Sequence, residues 1–194
     1  MLVAINWAAL ILAMLTSAGL LLSRDWRWSL GFLAAQYLSA FWMVQIHWPV
    51  SMAAAKLVTG WMACAVLGIA QINAYKNREE ETTWPQGRLF HFFISVMAIS
   101  VTFAISSRLM TWLGLDLPVA WGSLLLIVLG LVHMGITSDP FRIVISLLSI
   151  LAGFEILYAT VESSVLVTAL LAVVNLGLAL AGAFFLTSIQ EEES

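Results

Sequence analysis

Apolar side chains fill most of the chain in long runs, which short groups of charged and turn residues interrupt. A bilayer core about 30 Å thick needs about 20 apolar residues of helix to cross it. No run alternates like a barrel strand, and lipid cannot satisfy an unpaired backbone, so each crossing segment must be helical. The pattern predicts an all-α polytopic transmembrane bundle of about seven spans, near residues 2–22, 29–48, 50–72, 89–108, 119–137, 143–161 and 165–187.

Polar and turn residues mark the boundaries of these predicted spans. The first run continues to Leu22 without a basic leading region or a cleavage site, so it is interpreted as a span and not as a secretory signal. The segment from Tyr75 to Arg88 is the one substantial polar loop. The boundary at Glu162 leaves a six-span alternative open, in which one of the last two segments is re-entrant.

The distribution of cations predicts how the bundle is oriented. Loops that face the cytoplasm carry an excess of Lys and Arg. With the N-terminus outside, only Arg108 lies on an outer loop, and the cytoplasmic loops receive Arg24, Arg27, Lys76, Arg78, Arg88 and Arg142. We therefore expect a multi-pass protein of the cell (cytoplasmic) membrane with its N-terminus outside and its C-terminus in the cytoplasm.

Composition excludes most other classes of protein. Of the 194 residues, 62% are hydrophobic and 10% are charged, against roughly 45–50% and about 25% in soluble domains. An ordinary cytosolic enzyme and a disordered protein are excluded, and eight Lys and Arg residues are too few for a nucleic-acid binder. Cys64 is the one cysteine, so the chain has no internal disulfide. Residues 1–194 are predicted to form a single membrane domain whose partners are the lipid bilayer and neighbouring subunits.

Glu155 is the first candidate for chemistry, because an ionisable group inside a membrane is costly and usually functional. It lies in the sixth predicted span, roughly 18 Å from the cytoplasmic edge at 1.5 Å per residue. Asn175 in the seventh span is expected at a similar depth. Tyr158 and Glu162 follow Glu155 on the same helical face, so the row could pass protons toward the outer surface. Alternatively, Glu155 is protonated and serves only in packing, and Glu162 lies at the level of the lipid headgroups.

Lys56 is the second ionisable residue within a span, about 10 Å below the outer surface. Its long side chain can extend to the interface, or it can pair with a carboxylate such as Glu155; the sequence leaves both readings open. His91 and His133 fall near the cytoplasmic ends of spans, which suggests that they could bind haem or a metal. The alternative is that they are ordinary histidines at the membrane interface or hydrogen-bonded in the core. We predict no metal and no cofactor.

Motifs of known catalytic sites do not occur in the chain. It has no His-Glu-x-x-His, no Gly-x-Ser-x-Gly and no glycine-rich phosphate loop. The chain is therefore not expected to be catalytic on its own, although it could belong to an oxidoreductase or antiporter complex. Gln36, Gln45 and Gln71 are interpreted as hydrogen-bonding groups between helices. No convincing repeat relates the two halves of the sequence.

Several segments resemble a known family of membrane subunits. Gly31-Phe32-Leu33-Ala34-Ala35-Gln36 in the second span and Ala55-Lys56-Leu57-Val58 in the third are similar to the E component of membrane hydrogenases of the formate-hydrogenlyase type. Gly153-Phe154-Glu155-Ile156-Leu157 and the segment 172–180 resemble the two intramembrane glutamate segments of the K (4L) subunit of respiratory complex I, of NADH dehydrogenase type, and of the C subunit of multisubunit sodium/proton antiporters. The sequence departs from the complex I pattern at Asn175, where that branch has glutamate.

The resemblance implies a non-redox accessory membrane subunit of a proton- or sodium-translocating complex. The last three spans would form a unit like the K subunit, and large antiporter-like subunits would be the neighbours. Glu155 would contribute the intramembrane carboxylate, while Asn175 would break a relay of two carboxylates because an amide exchanges no proton. The alternatives are a purely structural subunit that spaces and seals larger subunits, and a small stand-alone transporter.

Overall fold

The computed structural model describes residues 2–23, 25–75 and 86–193. Within these residues the chain is helical, which confirms the predicted all-α class. The helices of the described part are α1 (Leu2–Leu22), α2 (Trp26–Val44), α3 (Val50–Tyr75), α4 (Gln86–Leu113), α5 (Leu117–Gly135), α6 (Pro140–Val161) and α7 (Val165–Glu193). Five of these helices, namely α1, α3, α5, α6 and α7, are long and apolar enough to cross a membrane, so the chain has the character of a membrane protein.

Capping residues explain where two helices begin earlier than the apolar pattern predicts. Asp25 accepts a hydrogen bond at 3.0 Å from the backbone N–H of Arg27, so α2 starts at Trp26 and not near residue 29. Asp139 does the same for the N–H of Phe141 at 3.3 Å, with Pro140 as the first helical residue. Helix α4 ends before Gly114, which adopts a positive φ of 64°. The central part of the predicted polar loop, residues 76–85, lies outside the described residues.

The helices pack in two rows of three. Helices α1, α2 and α3 form one row and α5, α6 and α7 the other, and they pair across the rows as α1 with α5, α2 with α6 and α3 with α7. Helix α4 packs at the edge of the rows against α5 and α1. The last three spans therefore form one row, and their grouping as a K-subunit-like unit stays a prediction.

Two contacts define the ends of the bundle. At one end the indole N–H of Trp48 donates to the backbone oxygen of Glu162 at 2.8 Å, which brings the end of α2 next to the end of α6. At the other end Nη1 of Arg142 donates to the backbone oxygen of Ser23 at 2.9 Å, which joins the beginning of α6 to the end of α1. We refer to these as the Trp48 end and the Arg142 end.

Helix α7 illustrates how polar and small side chains turn inward while large apolar ones face out. Its exposed side includes Leu166, Val173 and Phe184. Without a hydrophobic force between helices in lipid, small residues and hydrogen bonds hold them together. The buried stripe of α7 consists of small, polar or single aliphatic residues, namely Thr168, Asn175, Ala179, Gly182 and Leu186.

Candidate functional site

Lys56 and Glu155 form an ion pair in the interior of the bundle. Nζ of Lys56 on α3 contacts Oε2 of Glu155 on α6, and the residues are only 4% and 3% exposed. Among the described residues, neither atom has a hydrogen-bond partner outside this pair. Sequence reasoning left open whether Lys56 extends to the interface or meets a carboxylate; in the structure it meets Glu155.

The depth of the pair follows from the antiparallel course of the two helices. Lys56 lies about 9 Å beyond Val50, where α3 begins, and Glu155 lies about 9 Å before Val161, where α6 ends. Both residues are thus at the same level, about 9 Å inside the Trp48 end of their helices. The cap at Asp139 starts α6 three residues earlier than the predicted span, so Glu155 lies about 22 Å from the beginning of the helix instead of the expected distance of about 18 Å.

A narrow pocket adjoins the ion pair. It contains about 210 Å³ of empty space including its mouth, and its interior fits an occupant of the size of water. Side chains of Lys56, Glu155 and Thr168 border it, but its accessible lining is almost entirely apolar. The lining residues are Trp48, Lys56, Thr59, Glu155, Thr168, Leu171 and Ala172.

Tyr158 and Glu162, the other candidates on α6, lie between this pocket and the Trp48 end. Tyr158 is half-buried and its ring packs edge-on against Trp48, with the centroids 6.3 Å apart. Glu162 is exposed, and its Oε1 accepts a hydrogen bond from the N–H of Ser163 at 3.2 Å. The described hydrogen bonds do not join either residue to Glu155. Glu155, Tyr158 and Glu162 therefore share one face of α6, as predicted. The described hydrogen bonds do not form a continuous chain along this face.

Asn175 pairs with a residue that sequence reasoning missed. The hydroxyl of Tyr37 on α2 donates to Oδ1 of Asn175 on α7 at 2.8 Å, and the two residues are 0% and 1% exposed. Asn175 lies about 15 Å beyond the first residue of α7. It is therefore deeper than Glu155 when both are measured from the Trp48 end, which corrects the expectation of a common depth.

The ring of Tyr37 connects this second pair to the first. It packs against Gly60, where an added Cβ would meet the ring at 2.4 Å. Gly60 lies four residues after Lys56 on the same face of α3, so the Tyr37 ring contacts α3 one helical turn from Lys56. The sequence carries only a weak signal for Tyr37, a phenol directly after Gln36 within an apolar span.

Gln36 links three helices at a level closer to the Arg142 end than the Lys56–Glu155 pair is. Its Nε2 donates to Oγ of Ser17 on α1 at 3.0 Å, and its Oε1 accepts from Oγ of Ser149 on α6 at 2.9 Å. All three residues are at most 3% exposed. The predicted role of Gln36 in hydrogen bonding between helices is thus what the structure shows.

The histidines do not assemble into a described metal centre. His133 is buried near the end of α5, whereas the side chain of His91 lies outside the described residues. Among the described residues, no group of three or more His, Cys, Asp or Glu side chains is placed to hold a metal ion. A facing pair of His91 and His133 remains a hypothesis that the described residues do not test.

Comparison of the chain with family models, curated proteins and solved structures finds no match. The resemblance to hydrogenase and complex I subunits therefore stays a prediction from the residues quoted above.

Proposed function

We propose that the chain is a non-redox accessory membrane subunit of a proton- or sodium-translocating complex, in which Glu155 carries the ion. The observation that supports this function is the ion pair of Lys56 and Glu155, buried beside a pocket that fits water. A carboxylate, an ammonium group and water in contact form the minimum unit in which a proton or small cation can be held inside a membrane.

The energetic cost of burying Lys56 and Glu155 favours a functional role of the two charges over a stabilising one. Taking two charges out of water costs several kcal/mol per ion, and well-packed apolar residues are often at least as stable as a buried pair. At positions 56 and 155 a Leu or Met would satisfy packing. We therefore infer that the charges at Lys56 and Glu155 are kept for ion exchange.

The remaining candidates take supporting roles in this proposal. Tyr158 and Glu162 extend from the pocket toward the Trp48 end and guide the ion to that surface. Asn175 orients the hydroxyl of Tyr37 and carries no proton itself, because an amide does not ionise. A single carboxylate suits a half-channel or lateral role next to a partner better than a complete path across the membrane.

The proposal includes the topology and the partners. All seven helices cross the cell membrane with the N-terminus outside, so the Trp48 end faces outward and the Arg142 end faces the cytoplasm. Large antiporter-like subunits pack against the exposed apolar faces, and the chain binds no cofactor of its own.

Ion flux tests the role of Glu155. The Glu155→Gln variant, expressed in place of the native chain, should lose proton or sodium flux in membrane vesicles under an imposed gradient, measured with a proton-sensitive and a sodium-sensitive dye. Asp116→Asn is the matched control, since Asp116 is an exposed carboxylate before α5. Undiminished flux in the Glu155→Gln vesicles would refute the assignment.

Folding defects must be separated from loss of transport. Glu155→Gln leaves the Lys56 ammonium without a counter-charge, which can destabilise the bundle. The double variant Lys56→Met with Glu155→Gln removes both charges and should also lack flux, while Glu155→Asp keeps the charge and should retain part of it. Equal amounts of chain and of copurifying subunits in all variants establish that assembly is intact.

A second candidate function is a small stand-alone transporter. The observation that favours it is the two-row packing, in which α1, α2 and α3 pair one by one with α5, α6 and α7 and α4 lies at the edge. Parallel repeats related by an axis along the membrane normal are a known plan of transporters. Purification in mild detergent distinguishes the candidates: copurifying antiporter-like subunits support the accessory subunit, and a lone monomer or homodimer supports the transporter.

A further inference from the structure

A second pocket, whose lining is partly polar, lies on the other side of the bundle from the ion pair. It opens between α1, α2, α5 and α6 and contains about 190 Å³ of empty space including its mouth. Its polar lining is formed by Ser17, Gln36, His133 and Ser149, each of which is at least nine-tenths buried. No candidate residue of the proposed ion site belongs to it.

The residues that line this pocket lie in the half of the bundle near the Arg142 end, and the pocket itself has room for an occupant of the size of water. His133 lies about 3 Å before Gly135, the last residue of α5, and Ser17 about 8 Å before the end of α1. Ser149 lies about 14 Å inside the beginning of α6. The polar groups therefore lead from near the Arg142 end toward the middle of the membrane.

The residues of this pocket have more hydrogen-bonding groups than their bonds to one another require. A glutamine side chain has two N–H groups and two acceptor positions on its oxygen. The bonds to Ser17 and Ser149 occupy one of each, so the Gln36 amide can bond further molecules. Polar cavities that offer two to four partners retain water, whereas apolar cavities of this size stay dry.

Tyr37 connects this pocket to the ion pair. It follows Gln36 on α2, bonds Asn175, and packs against Gly60 one turn from Lys56. Tyr37 and Asn175 are therefore the buried polar residues that lie between the Gln36 network and the ion pair.

We infer that the pocket formed by Ser17, Gln36, His133 and Ser149 binds water and forms part of an aqueous half-path that leads from the Arg142 end toward the Lys56–Glu155 pair. The water site stands on the pocket alone, and its use as an ion path rests on the proposed function. Together with the pocket near the Trp48 end, this pocket would let the ion pair be approached from both surfaces. The Tyr37–Asn175 contact would separate the two approaches.

Silver ion is a suitable probe, because it is close to water in size and binds thiolates. In a Cys64→Ala background, Ser149→Cys and Ser17→Cys each place one thiol in the pocket, and Ser123→Cys places one at a buried position of α5 that does not line it. Sealed vesicles are treated with Ag⁺, quenched, denatured and labelled with a fluorescent maleimide. Accessibility of a C-terminal tag identifies vesicles with the Arg142 end outward.

The expected result is that Ag⁺ blocks labelling at positions 17 and 149 from the Arg142 side, at least about tenfold faster than at 123, because thiols in apolar surroundings are inert. Adding Gln36→Leu to Ser149→Cys should slow the reaction, since it removes the amide that holds water. The inference is wrong if both pocket thiols stay unreacted, if position 123 reacts equally fast, or if reaction occurs only from the Trp48 side.

This readout does not depend on ion flux, so the two proposals can fail separately. Accessible pocket thiols together with undiminished flux in Glu155→Gln would leave a water site without the proposed ion carrier. Inaccessible thiols together with lost flux would leave Glu155 as carrier and refute the half-path.

Discussion

Lys56 on α3 and Glu155 on α6 lie equally far from the Trp48 end and meet there as an ion pair. A diagonal contact between the two rows makes this possible, and the Tyr37–Asn175 hydrogen bond forms the opposite diagonal between α2 and α7. These two diagonal contacts, one charged and one neutral, join the four helices α2, α3, α6 and α7. Each contact can be tested by changing one partner and then both.

Removal of Lys56 alone should be more harmful than removal of the whole pair. Lys56→Met leaves a buried carboxylate and should lower the free energy of unfolding by about 3–5 kcal/mol. Lys56→Met combined with Glu155→Leu should recover most of that loss, because no unpaired charge remains. Thermal unfolding in mild detergent measures both variants. A double variant that is less stable than the single one would contradict the ion pair.

Removal of the Tyr37–Asn175 hydrogen bond should also lower the free energy of unfolding, but by less than removal of Lys56. Tyr37→Phe removes the donor and leaves the Asn175 oxygen buried without it, which should cost about 1–3 kcal/mol of unfolding free energy. Asn175→Leu in the Tyr37→Phe background should restore part of the stability. If the effects of the two substitutions simply add, the hydrogen bond does not contribute to the fold.

Glycine substitutions test the close approach of helices. At Gly60 an added Cβ would meet the Tyr37 ring at 2.4 Å, whereas at Gly177 nothing lies within 4 Å. Gly60→Ala should therefore destabilise the bundle by about 1–3 kcal/mol through overpacking. Gly177→Ala is the control and should be neutral or stabilising, since alanine favours helix by about 1 kcal/mol. Equal melting temperatures for the two variants would contradict the packing of Tyr37 on α3.

Trp48 offers a test of the contact that closes the Trp48 end. Trp48→Phe keeps an aromatic ring but removes the hydrogen bond to the Glu162 backbone, at an expected cost of about 1 kcal/mol. Trp28→Phe is the matched control, because Trp28 is 66% exposed. A lower melting temperature for the first variant alone supports the contact, and identical curves for both speak against it.

The positions of the helices could largely be predicted from the sequence. Apolar runs of about the length needed to cross a bilayer are a local property, so α1 and the centres of the other helices fall where the pattern puts them. The differences lie at the ends, where Asp25 and Asp139 add a turn by capping. These caps are also visible in the sequence, as an acidic residue directly before the first turn.

The candidate site was predictable in its ionisable members but not in its contacts. Glu155 and Lys56 stand out because charges within apolar runs are rare. Tyr37 does not, since one phenol in an apolar helix has no distinctive pattern, and its partner Asn175 is remote in sequence.

The sequence by itself thus determined that the chain is helical and apolar, and which residues carry charge inside it. Only the tertiary structure decided which faces turn inward and which polar groups meet. The physical reason is that these helices are apolar on nearly all sides, so the sequence pattern marks no single buried face. The choice is made when small residues let two helices approach and a buried polar group finds its partner across the rows, as Lys56 finds Glu155.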